Sequence, residues 1–90
     1  MEFEWDPLKA SANHRKHKVS FEEAATVLGS DFAMTVPDHS KYEDRFITLG
    51  PSNRGRLLMV AHTDRGNRIR IISTRTLTRA ERKVYEETNS

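Results

Sequence analysis

The chain has 90 residues, room for one domain with a small core and not for two. With 36% hydrophobic and 31% charged residues it reads as globular rather than disordered, and a formal net charge of +2 does not by itself mark a nucleic-acid binder. Without cysteine there is no disulfide scaffold and no thiol chemistry, and without a long apolar run or a signal peptide a cytoplasmic location away from membranes is expected.

Phe3 and Trp5 alternate with Glu2, Glu4 and Asp6, the pattern of a short strand with one aromatic face. Asp6 followed by Pro7 predicts a helix start, because Asp caps well and Pro is favoured at the first helical position; the helix should end near Lys16 or His17. Ser20-Phe21-Glu22-Glu23 has capping-box spacing, Val19 and Ala24 sit where a hydrophobic staple forms, and Phe21, Ala24, Ala25 and Leu28 share a helical face closed by Gly29. Residues 32–36 read as a strand stopped by Pro37, residues 38–44 as a polar loop, and residues 45–49 as a strand followed by the turn Gly50-Pro51-Ser52-Asn53. Residues 57–63 and 68–74 read as the two strands of a hairpin whose turn runs from Asp64 to Asn67. Thr78-Arg79-Ala80-Glu81 is a second capping box; it opens a last helix with Leu77, Ala80 and Val84 on one side. The order β-α-α-β-β-β-β-α predicts an α+β fold, a small, mainly antiparallel sheet packed against two N-terminal helices and one C-terminal helix, in a single domain over 1–90.

The near-neutral total charge hides a polarised distribution. Between Arg65 and Lys83 lie Arg65, Arg68, Arg70, Arg75, Arg79, Arg82 and Lys83 against one acid, Glu81; a second basic group, Lys9 and Arg15 to Lys18, lies near the start. Arginine suits phosphate because its planar fork donates two parallel hydrogen bonds, so the hairpin is a candidate platform for a polyanion. Simple alternation places Leu58, Val60, His62 and Asp64 on one face and Met59, Ala61 and Thr63 on the other. On the next strand Arg68, Arg70, Ile72 and Thr74 share a face opposite Ile69, Ile71 and Ser73. In one register this makes His62 and Arg70 cross-strand neighbours.

Phe3-Glu4-Trp5-Asp6-Pro7, Asn13, Lys16-His17 and Val19-Ser20-Phe21-Glu22-Glu23-Ala24 together resemble the start of the BrnT toxin family. Glu43-Asp44-Arg45-Phe46, the Gly50 turn, Gly55-Arg56, Thr63-Asp64-Arg65, the run from Ile69 to Arg75, Glu81-Arg82 and Tyr85-Glu86 continue the resemblance in the same order along nearly the whole chain. Lys18 stands where many members have Gly, and Asp64 where many have Glu. The resemblance implies a RelE-like fold and a ribonuclease toxin of a type II toxin–antitoxin module. Such a toxin cuts RNA with no metal or other cofactor and is neutralised by a BrnA-type antitoxin. It also implies an antitoxin-mediated 2:2 heterotetramer that touches operator DNA only through the antitoxin.

Metal-free RNA cleavage needs a base for the 2′-hydroxyl, an acid for the departing 5′-oxygen and cations around the phosphorus oxygens. Candidate proton carriers are His17 and His62, with Asp64 as carboxylate partner; Lys16, Arg45, Arg65, Arg70 and Arg75 are candidate phosphate contacts, and the base is left open among His17, His62, Asp64 and Lys16. Each has a structural reading beside it. His62 in an apolar strand suits a buried, hydrogen-bonded histidine; His17 suits a helix C-terminus, where a cation meets the dipole; Asp64 suits a turn. Arg70, a charge in mid-strand, is the hardest to explain without a partner or a ligand. Arg79, Arg82 and Lys83 read as a solvated helix face or an antitoxin contact, Phe3 and Trp5 as core. Tyr85 is either an active-site cap or a packing residue beside Val84. No histidines and acids have metal-ligand spacing.

Overall fold

A computed structural model describes residues 1–38 and 44–89. Its elements are β1 (Glu2–Glu4), α1 (Pro7–His17), α2 (Phe21–Leu28), β2 (Met34–Asp38), β3 (Arg45–Pro51), β4 (Leu57–Arg65), β5 (Arg68–Thr76) and α3 (Arg79–Thr88). The strands form one sheet in the order β1-β5-β4-β3-β2, with β1 parallel to β5 and the other neighbours antiparallel. The α+β class and the mainly antiparallel sheet are as expected. The interior of the expected 38–44 loop, with His39, lies outside the described residues. Among those described, no helix is long and apolar enough to cross a membrane.

Helix starts follow local chemistry. The Asp6 carboxylate accepts the Leu8 N–H at 2.8 Å ahead of Pro7, and α1 closes at Lys18, whose N–H returns to the His14 carbonyl. Lys18 has φ 61° and ψ 30°, the left-handed conformation that glycine adopts without a Cβ clash. Thr78 and Glu81 form the complete reciprocal capping box of α3. The box at α2 is only half made. Ser20 accepts the Glu23 N–H at 3.0 Å, but the Glu23 carboxylate turns away from the Ser20 backbone toward Ser52 and Arg56.

The strands differ from expectation in extent. β2 begins at Met34 rather than at residue 32 and runs through Pro37 instead of stopping there. An edge strand tolerates this, because one side of its backbone has no ladder to complete. β4 and β5 reach further into the hairpin, so Arg65 pairs with Arg68 and only Gly66-Asn67 turns the chain. Gly66 has φ 65°, the positive value that a two-residue hairpin asks of its first central residue.

The decisive departure is a β-bulge. Ala61 pairs with Ser73 but His62 pairs with Ile71, which leaves Ile72 as an extra residue in β5. Beyond it, His62 and Asp64 lie opposite Ile71 and Ile69, and Thr63 and Arg65 opposite Arg70 and Arg68. His62 and Arg70 therefore sit on opposite faces of the sheet, not side by side. Thr74 likewise leaves the face that carries Arg68, Arg70 and Ile72.

Each face has its own core. On one, α1 and α2 cover Val19, Phe21, Ala24, Val27, Leu58, Val60 and Ile71, with Phe3 and Trp5 packed alongside and the Trp5 ring edge-on to Phe21 at 5.9 Å. On the other, Leu77 ahead of α3 and Tyr85 on it pack against Leu49, Met59 and Ala61. β1 pairs with β5 only as far as Arg70; further along, buried Asn13 bonds both the N–H (3.1 Å) and the carbonyl (3.0 Å) of Thr74 through its side-chain amide. The amide substitutes for a neighbouring strand, satisfies two edge groups and fixes α1 on the sheet.

Candidate functional site

The strand register assembles a charged row across the α3-side face. Asp38 pairs with Arg45, Arg45 with Thr63, Thr63 with Arg70 and Arg70 with Glu4, so these residues stand side by side on four strand pairs. Adjacent strands are about 4.8 Å apart, which puts the Arg45 and Arg70 backbones roughly 10 Å from each other, a span that two arginine side chains can close onto one phosphate. Between them Thr63 is buried and donates its hydroxyl to the Asp44 carbonyl at 2.7 Å, tying down the chain that leads into β3. Arg65 and Arg68 extend the same face toward the hairpin turn.

The arginines nearest β1 are aimed by its carboxylates. Arg70 Nη1 donates to Glu4 Oε2 at 2.8 Å, Arg68 Nη1 lies 3.8 Å from Glu4 Oε1, and Arg68 Nε lies 3.6 Å from Glu2 Oε1. The Arg70 side chain is 33% exposed and that of Glu4 28%, so both are partly buried and both reach solvent. A mid-sheet arginine needs a partner; Glu4 provides one through Nη1, and the Arg70 side chain still reaches solvent.

Arg75 lies on the same face at the far end of β5 and is committed elsewhere. It donates to both oxygens of Glu81, at 2.7 and 2.9 Å, and joins the start of α3 to the sheet. Those bonds, helped by the Thr78 backbone N–H, hold the Glu81 carboxyl down to about 2 and raise the Arg75 guanidinium. Tyr85 is buried and donates its hydroxyl to the Phe32 carbonyl at 2.7 Å, which makes it a packing residue rather than a cap over the arginines.

The expected proton carriers are not with the arginines. His62 is 6% exposed on the α1/α2 side, with its ring stacked on Phe46 at 5.9 Å and Nε2 at 2.8 Å from Thr48 Oγ1, which is itself 2.7 Å from Thr35 Oγ1. Its Nδ1 is buried with no hydrogen-bond partner. Burial pushes the imidazole below the usual histidine range, against an opposing pull from the Asp64 carboxylate. Asp64 is exposed on the His62 side of the sheet. Lys16 and His17 end α1 beside Lys18, whose carbonyl accepts from Arg56 at the start of β4. That is the end of the sheet where β5 finishes, about 20 Å of strand away from Arg70.

A second polar centre had gone unseen in the sequence. Glu23 is 5% exposed, yet its carboxylate accepts from Ser52 Oγ at 2.7 Å, from Arg56 Nε at 3.0 Å and from Arg56 Nη2. Arg56 Nη2 also donates to the Lys18 carbonyl. The Arg56 bonds hold the Glu23 carboxyl below the usual carboxylate range in spite of its burial. This knot joins α2, the α1–α2 turn and the β3–β4 turn, on the layer away from the arginine row. Capping-box spacing concealed it, because it gave Glu23 a local partner. Glu4 was hidden for a related reason: its partner is distant in sequence, and only its place on the polar side of an aromatic-faced strand marked it. Among the described residues no three histidine or acid side chains are grouped to hold a metal ion.

Comparison with known proteins supplies the context. Residues 5–81 match the profile of a family described as the ribonuclease toxin BrnT of type II toxin–antitoxin systems. The fold is similar to the crystal structure of the Brucella abortus ribonuclease toxin BrnT, with a TM-score of 0.72 and 24% sequence identity over 88% of this chain and 99% of that one. No curated protein sequence gives a match.

Proposed function

The chain belongs to the BrnT family of ribonuclease toxins of type II toxin–antitoxin systems, and from that membership we propose that it cuts RNA without a metal, on the arginine-bearing face of its sheet. Family membership implies an RNA target and an antitoxin partner. The proposed partner is a BrnA-type antitoxin in a 2:2 complex that contacts operator DNA only through the antitoxin, in the cytoplasm.

The observation that carries this reading is the row Arg45–Thr63–Arg70, two guanidiniums flanking a buried hydroxyl on a rigid sheet. In the proposed reaction the 2′-hydroxyl attacks the adjacent phosphorus while arginines stabilise the charge that grows on the non-bridging oxygens. The reading confines the reacting phosphate to Arg45, Arg65 and Arg70. It leaves Lys16, His17, His62, Asp64 and Arg75 outside the reacting centre: His62 and Arg75 serve the fold, and the others lie on different surfaces.

The test is incubation of purified protein with RNA in excess EDTA, with Arg70→Ala alongside. Cleavage by the wild type should survive the chelator, and Arg70→Ala should lose on the order of a hundredfold or more in rate. The variant should also lower the salt slope of RNA binding by about one phosphate contact. RNA binding without cleavage, the same in both proteins, would replace this reading with a non-catalytic nucleic-acid or co-repressor module. In cells, the chain alone should arrest growth and its antitoxin should restore it.

A further inference from the structure

We propose that Glu4 is the general base that takes the 2′-hydroxyl proton, an assignment that rests on the RNA-cleaving face described above. The argument begins with what that face contains. His62 and Asp64 point to the opposite side of the sheet, and Lys16 and His17 lie on a helix at its other end. The acids on the arginine side of the sheet are Glu2 and Glu4 on β1 and Asp38 on β2 among the described strand residues. Glu2 is 64% exposed and lies past the row, beside Arg68. Asp38 stands at the other end of the row, beyond Arg45.

Glu4 has the geometry of a positioned base. Its Oε2 accepts the Arg70 bond at 2.8 Å, which fixes the carboxylate plane. Its Oε1 is 3.8 Å from the nearest Arg68 nitrogen, beyond hydrogen-bond distance, so lone pairs on that oxygen remain open to a substrate hydroxyl. A phosphate held in the row at Arg70, the arginine next to Glu4, would carry its 3′-linked ribose, and therefore the 2′-hydroxyl, toward β1 and that oxygen. A positioned carboxylate is a group that can take a proton from a hydroxyl without a metal.

The step balances with water alone. The 2′-hydroxyl proton moves to Glu4 Oε1, the 2′-oxygen–phosphorus bond forms and the phosphorus–5′-oxygen bond breaks. The 5′-oxygen takes a proton from water, and the hydroxide left behind is neutralised by the proton that Glu4 releases. The products are a 2′,3′-cyclic phosphate and a 5′-hydroxyl end.

The experiment compares wild type, Glu4→Gln, Glu4→Asp, Asp38→Asn and Glu22→Gln on a short RNA in EDTA. Glu22 is an exposed acid on α2, in the layer away from the row, and its variant controls for loss of one negative charge. Glu4→Gln keeps an oxygen for Arg70 and removes the base. It should lower kcat by about a hundredfold or more with KM unchanged or smaller, and should abolish the acidic limb of the pH–rate profile. Glu4→Asp should fall between, and mass spectrometry of wild-type product should show the cyclic phosphate. A Glu4→Gln enzyme with raised KM, near-normal kcat and an intact acidic limb would reduce Glu4 to a positioning residue for Arg70 and overturn the proposal. So would loss of the limb in Asp38→Asn instead. A wild type that does not cut RNA overturns the broader ribonuclease reading with it, whereas an active wild type beside an equally active Glu4→Gln overturns the base assignment alone.

Discussion

Replacing Glu23 by Gln keeps the shape of the side chain and removes its charge from a nearly closed site. In the native protein Arg56 makes two bonds to the carboxylate and Ser52 a third. Gln keeps one acceptor oxygen and puts an NH2 donor in place of the other, so one Arg56 bond is lost and the second keeps only a neutral acceptor; with hydrogen bonds to charged groups contributing about 1.5–3 kcal/mol each, the change costs about 2–3 kcal/mol. The Arg56 side chain is 35% exposed and turns partly to water, which brings the expected loss down to about 2 kcal/mol. For a domain of this size that lowers Tm by roughly 8–16 °C. The loss also depends on pH. Arg56 depresses the folded-state pKa of Glu23 below the ordinary carboxylate range, so the stabilisation is fully present above the unfolded-chain value and disappears as pH falls through the depressed one. Urea unfolding across pH 7 to 3 should show wild type and Glu23→Gln converging at the acid end, while RNA cleavage at low temperature is unchanged because the knot lies away from the arginine row. A variant that melts with wild type at pH 7, or a gap that stays constant down to pH 3, would refute the argument.

Burial depresses the His62 pKa below 6.5, so as pH falls below 6.5 the unfolded chain takes up a proton that the folded one refuses, and stability declines by up to about 1.4 kcal/mol per pH unit. His62→Phe should flatten that part of the slope between pH 6.5 and 5.5 in denaturant titrations; a slope equal to that of wild type would show that His62 is not its source. Lys18→Gly should stabilise, because a non-glycine residue in the left-handed region costs about 1 kcal/mol and the added freedom of the unfolded chain returns only part of it. A rise in Tm of about 2–4 °C is expected, and a fall would show that the Lys18 side chain contributes more than its backbone strain removes.

What could be read from the sequence was local. Asp6-Pro7, Ser20 and Thr78 announced their helices within a few residues, because caps satisfy backbone groups that lie beside them in the chain. The aromatic side of β1 and the apolar positions of β4 were visible for the same reason. Register is not local. Nothing in the run Ile71-Ile72-Ser73 distinguishes a bulge from regular alternation, and the pairing of His62 with Arg70 failed on that one residue. The arginines stood out as candidate phosphate contacts, but their acidic partners did not stand out at all. Glu4 meets Arg70 across 66 residues, and Glu23 meets Arg56 across 33. Arg75 shows the converse: its partner Glu81 was in view as a cap, and one carboxylate serves both roles.

Ile72 packs its side chain against the α3-side core, but it acts on the sheet through its presence in the count. With it, the hairpin half of β5 is out of phase with the rest of the strand, and the phase is the one that turns Arg68 and Arg70 away from α1 and α2. Shortening this segment by one residue would restore regular alternation and roll that half over, sending two guanidiniums into the layer under α1 and α2 and bringing Ile69 and Ile71 out to water. A change of letter at position 72 leaves the reading frame of the strand intact; a change of length inverts it.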